Sequence, residues 1–266
     1  MGSTGSLNSV GSTPGKISKW KSYPKENHGP TYYSRRTGIR LFPPQYDYSS
    51  LVKFEKLTDT SKRYIIVGDV HGQLTDLKAL LEEMKFDRKW DQVILAGDLV
   101  AKGEDSLGVL KLAREIGAKC IRGNYEDFIF LILKEIPQNR PSRDWKNELT
   151  ILAGTLTKED SDYLDGYRLV YQLPDINNEK VLVVHAGMDA SKPINDQDPA
   201  FAMYVPYLCS TTRFNGYEDY HGVWQDQWAS HQRQDGTIVI YSHEEKREPV
   251  IGTWSKGIDT TCYKGG

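Results

Sequence analysis

The 266-residue chain is predicted to be an α/β protein. Short apolar runs recur along it, each run ends in a turn that sets a polar residue beside glycine or another small residue, and the early turns lead into amphipathic helical stretches. That order places functional loops at the carboxyl ends of the strands. With 34 Lys and Arg against 36 Asp and Glu the formal charge is −2, so the basic excess of a nucleic-acid or anionic-membrane binder is missing. No run approaches the roughly 18–20 apolar residues of a membrane span. Three cysteines, Cys120, Cys209 and Cys262, are odd in number and lack CxxC spacing, which suits small buried thiols in a reducing compartment.

Residues 1–30 are rich in Gly, Ser and Thr, carry no apolar leader and read as a flexible tail; residues 31–266 hold the folded domain. The expected location is the cytoplasm, or a vacuole-type lumen if an upstream anchor has been removed. Residues 31–60 contain Pro43-Pro44, which blocks regular structure, and are expected to wrap the outside of the core. Tyr64–Val67 is predicted as a buried strand entering Gly68-Asp69, and Leu74, Leu77, Leu80, Leu81 and Met84 then mark an amphipathic helix. The unit repeats: Val93–Ala96 ends in Gly97-Asp98, and Leu107, Leu110, Leu112, Ala113 and Ile116 mark a helix that Gly117 closes. A third strand, Lys119–Ile121, ends at Arg122-Gly123-Asn124 before an apolar helix over Phe128–Ile136. A helical insertion is expected over 137–180. Strand Val181–Val184 delivers His185, strand Gly236–Tyr241 delivers His243, and a short strand lies around Val250–Trp254. Residues 190–236, rich in Tyr, Trp, Asp and Gln, read as irregular.

Taken together, the strand ends present Asp69, His71, Asp98, Asn124, His185 and His243 on one rim of the sheet. Each has a plainer reading: Gly-Asp after a strand is ordinarily a turn, and a histidine after an apolar run is ordinarily a core residue. Their recurrence after five strands in order favours ligands. Oxygen and nitrogen donors without thiolate suit Mn, Fe, Co or Zn. Six donors exceed one tetrahedral site but fit two sites sharing a bridging carboxylate. Two divalent ions about 3.5–4 Å apart clamp the attacking and leaving oxygens of an in-line displacement at phosphorus, so the pattern predicts metal-assisted phosphoester or phosphoanhydride hydrolysis. His28, His221 and His231 lie in the tail or the aromatic region and are expected at the surface.

GDVHG (68–72), GDLVAKG (97–103), RGNYE (122–126) and VHAG (184–187) closely resemble the ordered motifs of the calcineurin-like metallophosphoesterases. The segment 238–262, IVIYSHEEKREPVIGTWSKGIDTTC, resembles the last block of their ApaH-like branch, which contains dinucleoside polyphosphate hydrolases, cap-removing enzymes and endopolyphosphatases. The resemblance implies a two-sheet αββα sandwich, both sheets mixed, with helices on the outer faces. It implies that Asp69, His71 and Asp98 hold one metal, that Asp98 bridges, and that Asn124, His185 and His243 complete the second site. It also implies a phosphate-containing small molecule or polyphosphate as substrate. Arg122 is then the arginine that holds phosphate oxygens, for which its fork geometry is suited. Lys102 either faces the phosphate or is a solvated loop lysine. Arg213 binds a distal phosphate or is simply solvated, and the aromatics Tyr204, Tyr207, Phe214, Tyr217, Tyr220, Trp224 and Trp228 either pack or stack on bases.

The chain also departs from the pattern. Tyr125 stands where the family has the histidine that protonates the departing oxygen; Ala101 and Glu104 are further replacements, and the last motif reads Ser242-His243-Glu244 instead of Gly-His-Asp or Gly-His-Thr. A phenol, with a pKa of about 10, is a poor acid at neutral pH, and losing a general acid costs ~10²–10⁴-fold. A phosphate or nucleoside diphosphate leaves well without help, whereas an alkoxide does not. The expected activity therefore favours phosphoanhydrides. The alternative is a pseudophosphatase that binds phosphorylated ligands or protein partners without turnover.

Overall fold

The computed structural model describes residues 32–33, 40–41, 48, 51, 53–135, 148–205, 224–232 and 236–265. The tail at 1–30, Pro43-Pro44, Arg213, Cys209, Tyr207, Phe214, Tyr217 and Tyr220 lie outside them. Strands β1 (Tyr32–Tyr33) and β2 (Arg40–Leu41) pair as a small antiparallel ribbon. The first of two larger sheets joins β4 (Arg63–Val67), β5 (Asp91–Leu95) and β6 (Lys119–Cys120), all parallel. The second contains β3 (Phe54–Lys56), β7 (Val170–Gln172), β8 (Lys180–Val184), β9 (Thr237–Tyr241), β10 (Val250–Ile251) and β11 (Ser255–Gly257). Its order is β10-β11-β9-β8-β7-β3, with only β7–β8 and β10–β11 antiparallel.

Alternation along the strands builds the sandwich. Ile94 of β5, Val181 and Val183 of β8 and Tyr171 of β7 form a buried cluster with Ile66, Ile238 and Ile240, which fills the space between the sheets. Their neighbours Val93, Leu95, Leu182 and Val184 point the other way, into the helices. Helix α1 (Leu74–Glu83) buries Leu77 and Leu81, while Leu80 and Met84 are each 38% exposed, so its apolar stripe is narrower than the leucine spacing predicts. Helix α2 (Ser106–Ile116) is capped by the Asp105 carboxylate and closed by Gly117 in the left-handed conformation.

The structure differs from expectation in several places. The three-stranded sheet is wholly parallel, not mixed. Helix α3 (Asn124–Glu135) begins four residues before the apolar run at Phe128, so Asn124 and Tyr125 occupy its first turn. Helices α4 (Glu148–Thr155) and α5 (Lys158–Asp165) fall in the predicted insertion, but β3 and β7 were too short to show any period. Within 190–236, expected to be irregular, the chain forms α6 (Pro199–Tyr204) and α7 (Trp224–Gln232). An Asp198 cap with Pro199 at the first helical position announces α6. No helix of the described residues is long and apolar enough to cross a membrane.

Ile94 is fully buried between the sheets. Ile94→Ala is expected to lower unfolding stability by about 2–5 kcal/mol in urea titrations, whereas Ile151→Ala, at a 63% exposed position, changes it little.

Candidate metal centre

All six donors named from the strand ends meet at one place. Asp69, His71 and Asp98 form one buried group and Asp98, His185 and His243 another, the ligand atoms of each lying within 4.8 Å of one another. Asp98 belongs to both. His71 Nε2 is 3.3 Å from Asp69 Oδ2 and 3.7 Å from Asp98 Oδ2. His185 Nε2 lies 3.4 Å from Asp98 Oδ1, 3.0 Å from Asn124 Oδ1 and 3.0 Å from His243 Nδ1. Backbone carbonyls fix the rings: Ala96 O stands 2.8 Å from His185 Nδ1, and Val100 O stands 3.2 Å from His71 Nδ1. Each carbonyl takes its ring's Nδ1 and so turns the ring's Nε2 toward the centre.

The donors' electrostatics suit cations. Burial, and then the neighbouring Asp69 charge, push the Asp98 carboxyl well above its ordinary range. Burial also opposes ionisation of Asp69, but the His71 hydrogen bond and the His185 and His243 imidazoles hold its carboxyl low. Burial and then His185 keep His243 well below the usual imidazole value, so it is neutral, the form that ligates. For His71, burial is outweighed by Asp69 and Asp98, which raise it. Two buried carboxylates that disfavour each other's charge, surrounded by oriented imidazoles, fit divalent ions held between them.

Several residues that hold the donors in place were not read as site residues. The fully buried Glu126 carboxylate accepts from the backbone N–H groups of Asp98 (2.9 Å), Leu99 (2.8 Å) and Gly123 (2.9 Å), tying two ligand loops together. The glutamate of RGNYE was the available signal. Ser242, noted only as a departure, donates to Asp69 Oδ1 at 2.5 Å and accepts from the Asp69 N–H at 2.9 Å. Tyr125 N–H, in the first turn of α3, donates to Asp98 Oδ1 at 3.0 Å. Gly97 has φ +96°, and a Cβ there would stand 2.5 Å from His185 Nδ1, so only glycine fits. His71, Asp98 and His243 also adopt positive φ, of 46°, 52° and 68°.

The remaining candidates divide. Lys102 is at the centre, its Nζ 2.7 Å from His71 Nε2 and 4.9 Å from the centroid of the Tyr125 ring. The Tyr125 ring meets His71 edge-on at 5.0 Å. Arg122 is 2% exposed; its guanidinium lies over Phe130 at 4.1 Å and pairs with Asp165 at 3.3 Å and Asp127 at 3.8 Å, so it faces carboxylates where phosphate was expected. Tyr204, Trp224 and Trp228 are buried in the core, so for these three the packing reading holds. His231 is exposed on α7 with Nδ1 beside Gln227 O, away from the centre. Burial pushes the Cys120 thiol up to about 12, leaving it inert.

Glu126→Ala would strand three buried N–H donors. It is expected to cost at least ~3 kcal/mol of stability and to weaken metal uptake, measured by denaturation and by metal analysis after dialysis.

Comparison with known proteins places the chain in a family. Residues 62–260 match the family model of calcineurin-like phosphoesterases. Symmetrical bis(5'-nucleosyl)-tetraphosphatases of Pectobacterium atrosepticum and Proteus mirabilis are each 36% identical over 126 residues, covering 46% of this chain and 42% and 44% of theirs. The chain spans less than half the length of these relatives. A solved structure of a candidate diadenosine tetraphosphatase superposes with a TM-score of 0.65 at 26% identity, covering 81% of this chain and 90% of its own. A cold-active protein tyrosine phosphatase superposes with a TM-score of 0.51 at 18% identity, over 82% of this chain and 75% of its own, a likeness of fold alone. With its motifs in order, its donors converged and most of its length matched, the chain belongs to the calcineurin-like phosphoesterase family.

Proposed function

We propose that this chain is a metal-dependent hydrolase of phosphoanhydrides, with dinucleoside polyphosphates and inorganic polyphosphate as its substrate class. The observation that carries the reading is a single carboxylate, Asp98, shared by two buried donor groups. Asp69, His71 and Asp98 would hold one divalent ion, and Asp98, Asn124, His185 and His243 a second, from among Mn, Zn, Fe and Co. Such a pair supplies Lewis-acid polarisation of a phosphoryl oxygen and neutralises charge developing in the displacement. The relatives' name, symmetrical bis(5'-nucleosyl)-tetraphosphatase, supports the anhydride class.

The chain's own residues would do the rest. Lys102, beside His71, offers a cation to phosphate oxygens. Arg122 reaches a phosphate by exchanging Asp165, whose side chain is 69% exposed, while Asp127 continues to hold it from behind. Tyr125 occupies the proton donor's place beside His71, and a phenol there suits leaving groups that need little protonation. Tyr125 is also the observation that favours the second reading, a pseudophosphatase that binds phosphorylated ligands without turnover. Against it stands the complete donor set.

Removal of metal with a chelator is expected to abolish diadenosine tetraphosphate hydrolysis, and Mn or Zn to restore it; Asp98→Asn should lose bound metal and turnover together. Tyr125→His is expected to raise hydrolysis of a phosphoserine peptide by about 10²-fold, and that of diadenosine tetraphosphate much less. Equal gains on both substrates, or none on either, would count against Tyr125 as the cause of the preference. A metal-loaded parent chain that turns over neither substrate would leave the pseudophosphatase reading.

A further inference from the structure

Beside the centre lies a group of charges of which the proposed chemistry uses only Lys102. The half-buried Glu245 carboxylate is gripped from both sides: Lys102 Nζ stands 3.7 Å from Oε1, and Lys264 Nζ stands 2.5 Å from Oε2. The Tyr263 hydroxyl also donates to Oε1. The Tyr263 ring carries both ammonium groups on it, at 4.2 Å for Lys102 and 4.9 Å for Lys264, and touches the His71 ring edge-on at 5.2 Å. The cluster is thus continuous with the metal donors through Lys102 and Tyr263. Its outer member is accessible, since the Lys264 side chain is 55% exposed.

We infer that Lys102, Tyr263 and Lys264 form a subsite for phosphates beyond the scissile bond, and that Glu245 occupies it as an internal stand-in for that phosphate. The inference rests on the hydrolase reading for its substrate and on the geometry for its site. A carboxylate and a phosphate offer the same oxygens to the same ammonium groups. A chain of three or more phosphates entering from the metal donors passes Lys102 first and Lys264 second, displacing Glu245 from both. A single phosphate at the donors reaches Lys102 but not Lys264. The ligand chemistry is therefore an extended polyphosphate, bare or carrying a nucleoside.

Calorimetric titration of the metal-loaded chain tests this with a non-hydrolysable bis(methylene) triphosphonate and with orthophosphate. Lys264→Met is expected to weaken triphosphonate binding about tenfold and to leave orthophosphate unchanged. Glu245→Gln is expected to tighten triphosphonate binding several-fold, while Lys111→Met, a charge lost from an exposed face of α2, alters neither. Unchanged triphosphonate binding in Lys264→Met, an equal loss for both probes, or no gain in Glu245→Gln overturns the subsite. An adenosine-capped probe that binds more tightly than the bare one assigns the subsite to nucleotides, and equal binding assigns it to polyphosphate. The selective Lys264 dependence in a chain that does not hydrolyse diadenosine tetraphosphate supports the subsite while removing the hydrolase reading.

Discussion

The structure is organised around the repulsion between two carboxylates. Asp69 and Asp98 are buried together, and each would be easier to ionise if the other were absent. The neighbouring structure counters that cost. Imidazoles face the pair from three separate loops, Ser242 binds Asp69, and the helix that begins at Asn124 aims its Tyr125 N–H at Asp98. Glu126 adds a third buried carboxylate, satisfied by backbone donors, and so fixes the loops without competing for a cation. An apolar core alone would not keep such a set together; a positive charge between the carboxylates would.

The sandwich makes this convergence possible. β4, β5 and β6 end side by side because they are parallel, and β8 and β9 are parallel to each other in the facing sheet. Asp69, Asp98 and Asn124 therefore leave one sheet, and His185 and His243 leave the other, to meet at a common edge. The Ile94 layer between the sheets sets the distance across which they meet. In this way a packing requirement of aliphatic side chains becomes a coordinate for polar ones.

Much of this was legible in the sequence, for physical reasons. Strands β4, β5, β8 and β9 announce themselves because buried parallel strands are continuous apolar runs, and their ends expose the donors directly. The start of α3 does not show in the apolar pattern because Asn124, Glu126 and Asp127 are polar, and its first turn faces the centre. Strands β3 and β7 hold three residues each, too few for a period to register. The roles of Glu126, Ser242 and Glu245 depend on contacts between segments far apart in the chain, and no local pattern encodes them. Arg122 shows the opposite limit: its motif was clear, but its carboxylate partners Asp127 and Asp165 could be found only in three dimensions.

The left-handed backbone at His71, Asp98 and His243 carries a further meaning. Each such residue costs about 1–3 kcal/mol relative to a relaxed conformation, and glycine at any of the three would remove that cost. Glycine there would relax the turn but delete a buried donor, so at these three positions backbone ease and donor chemistry pull in opposite directions, and the residues present side with the donors.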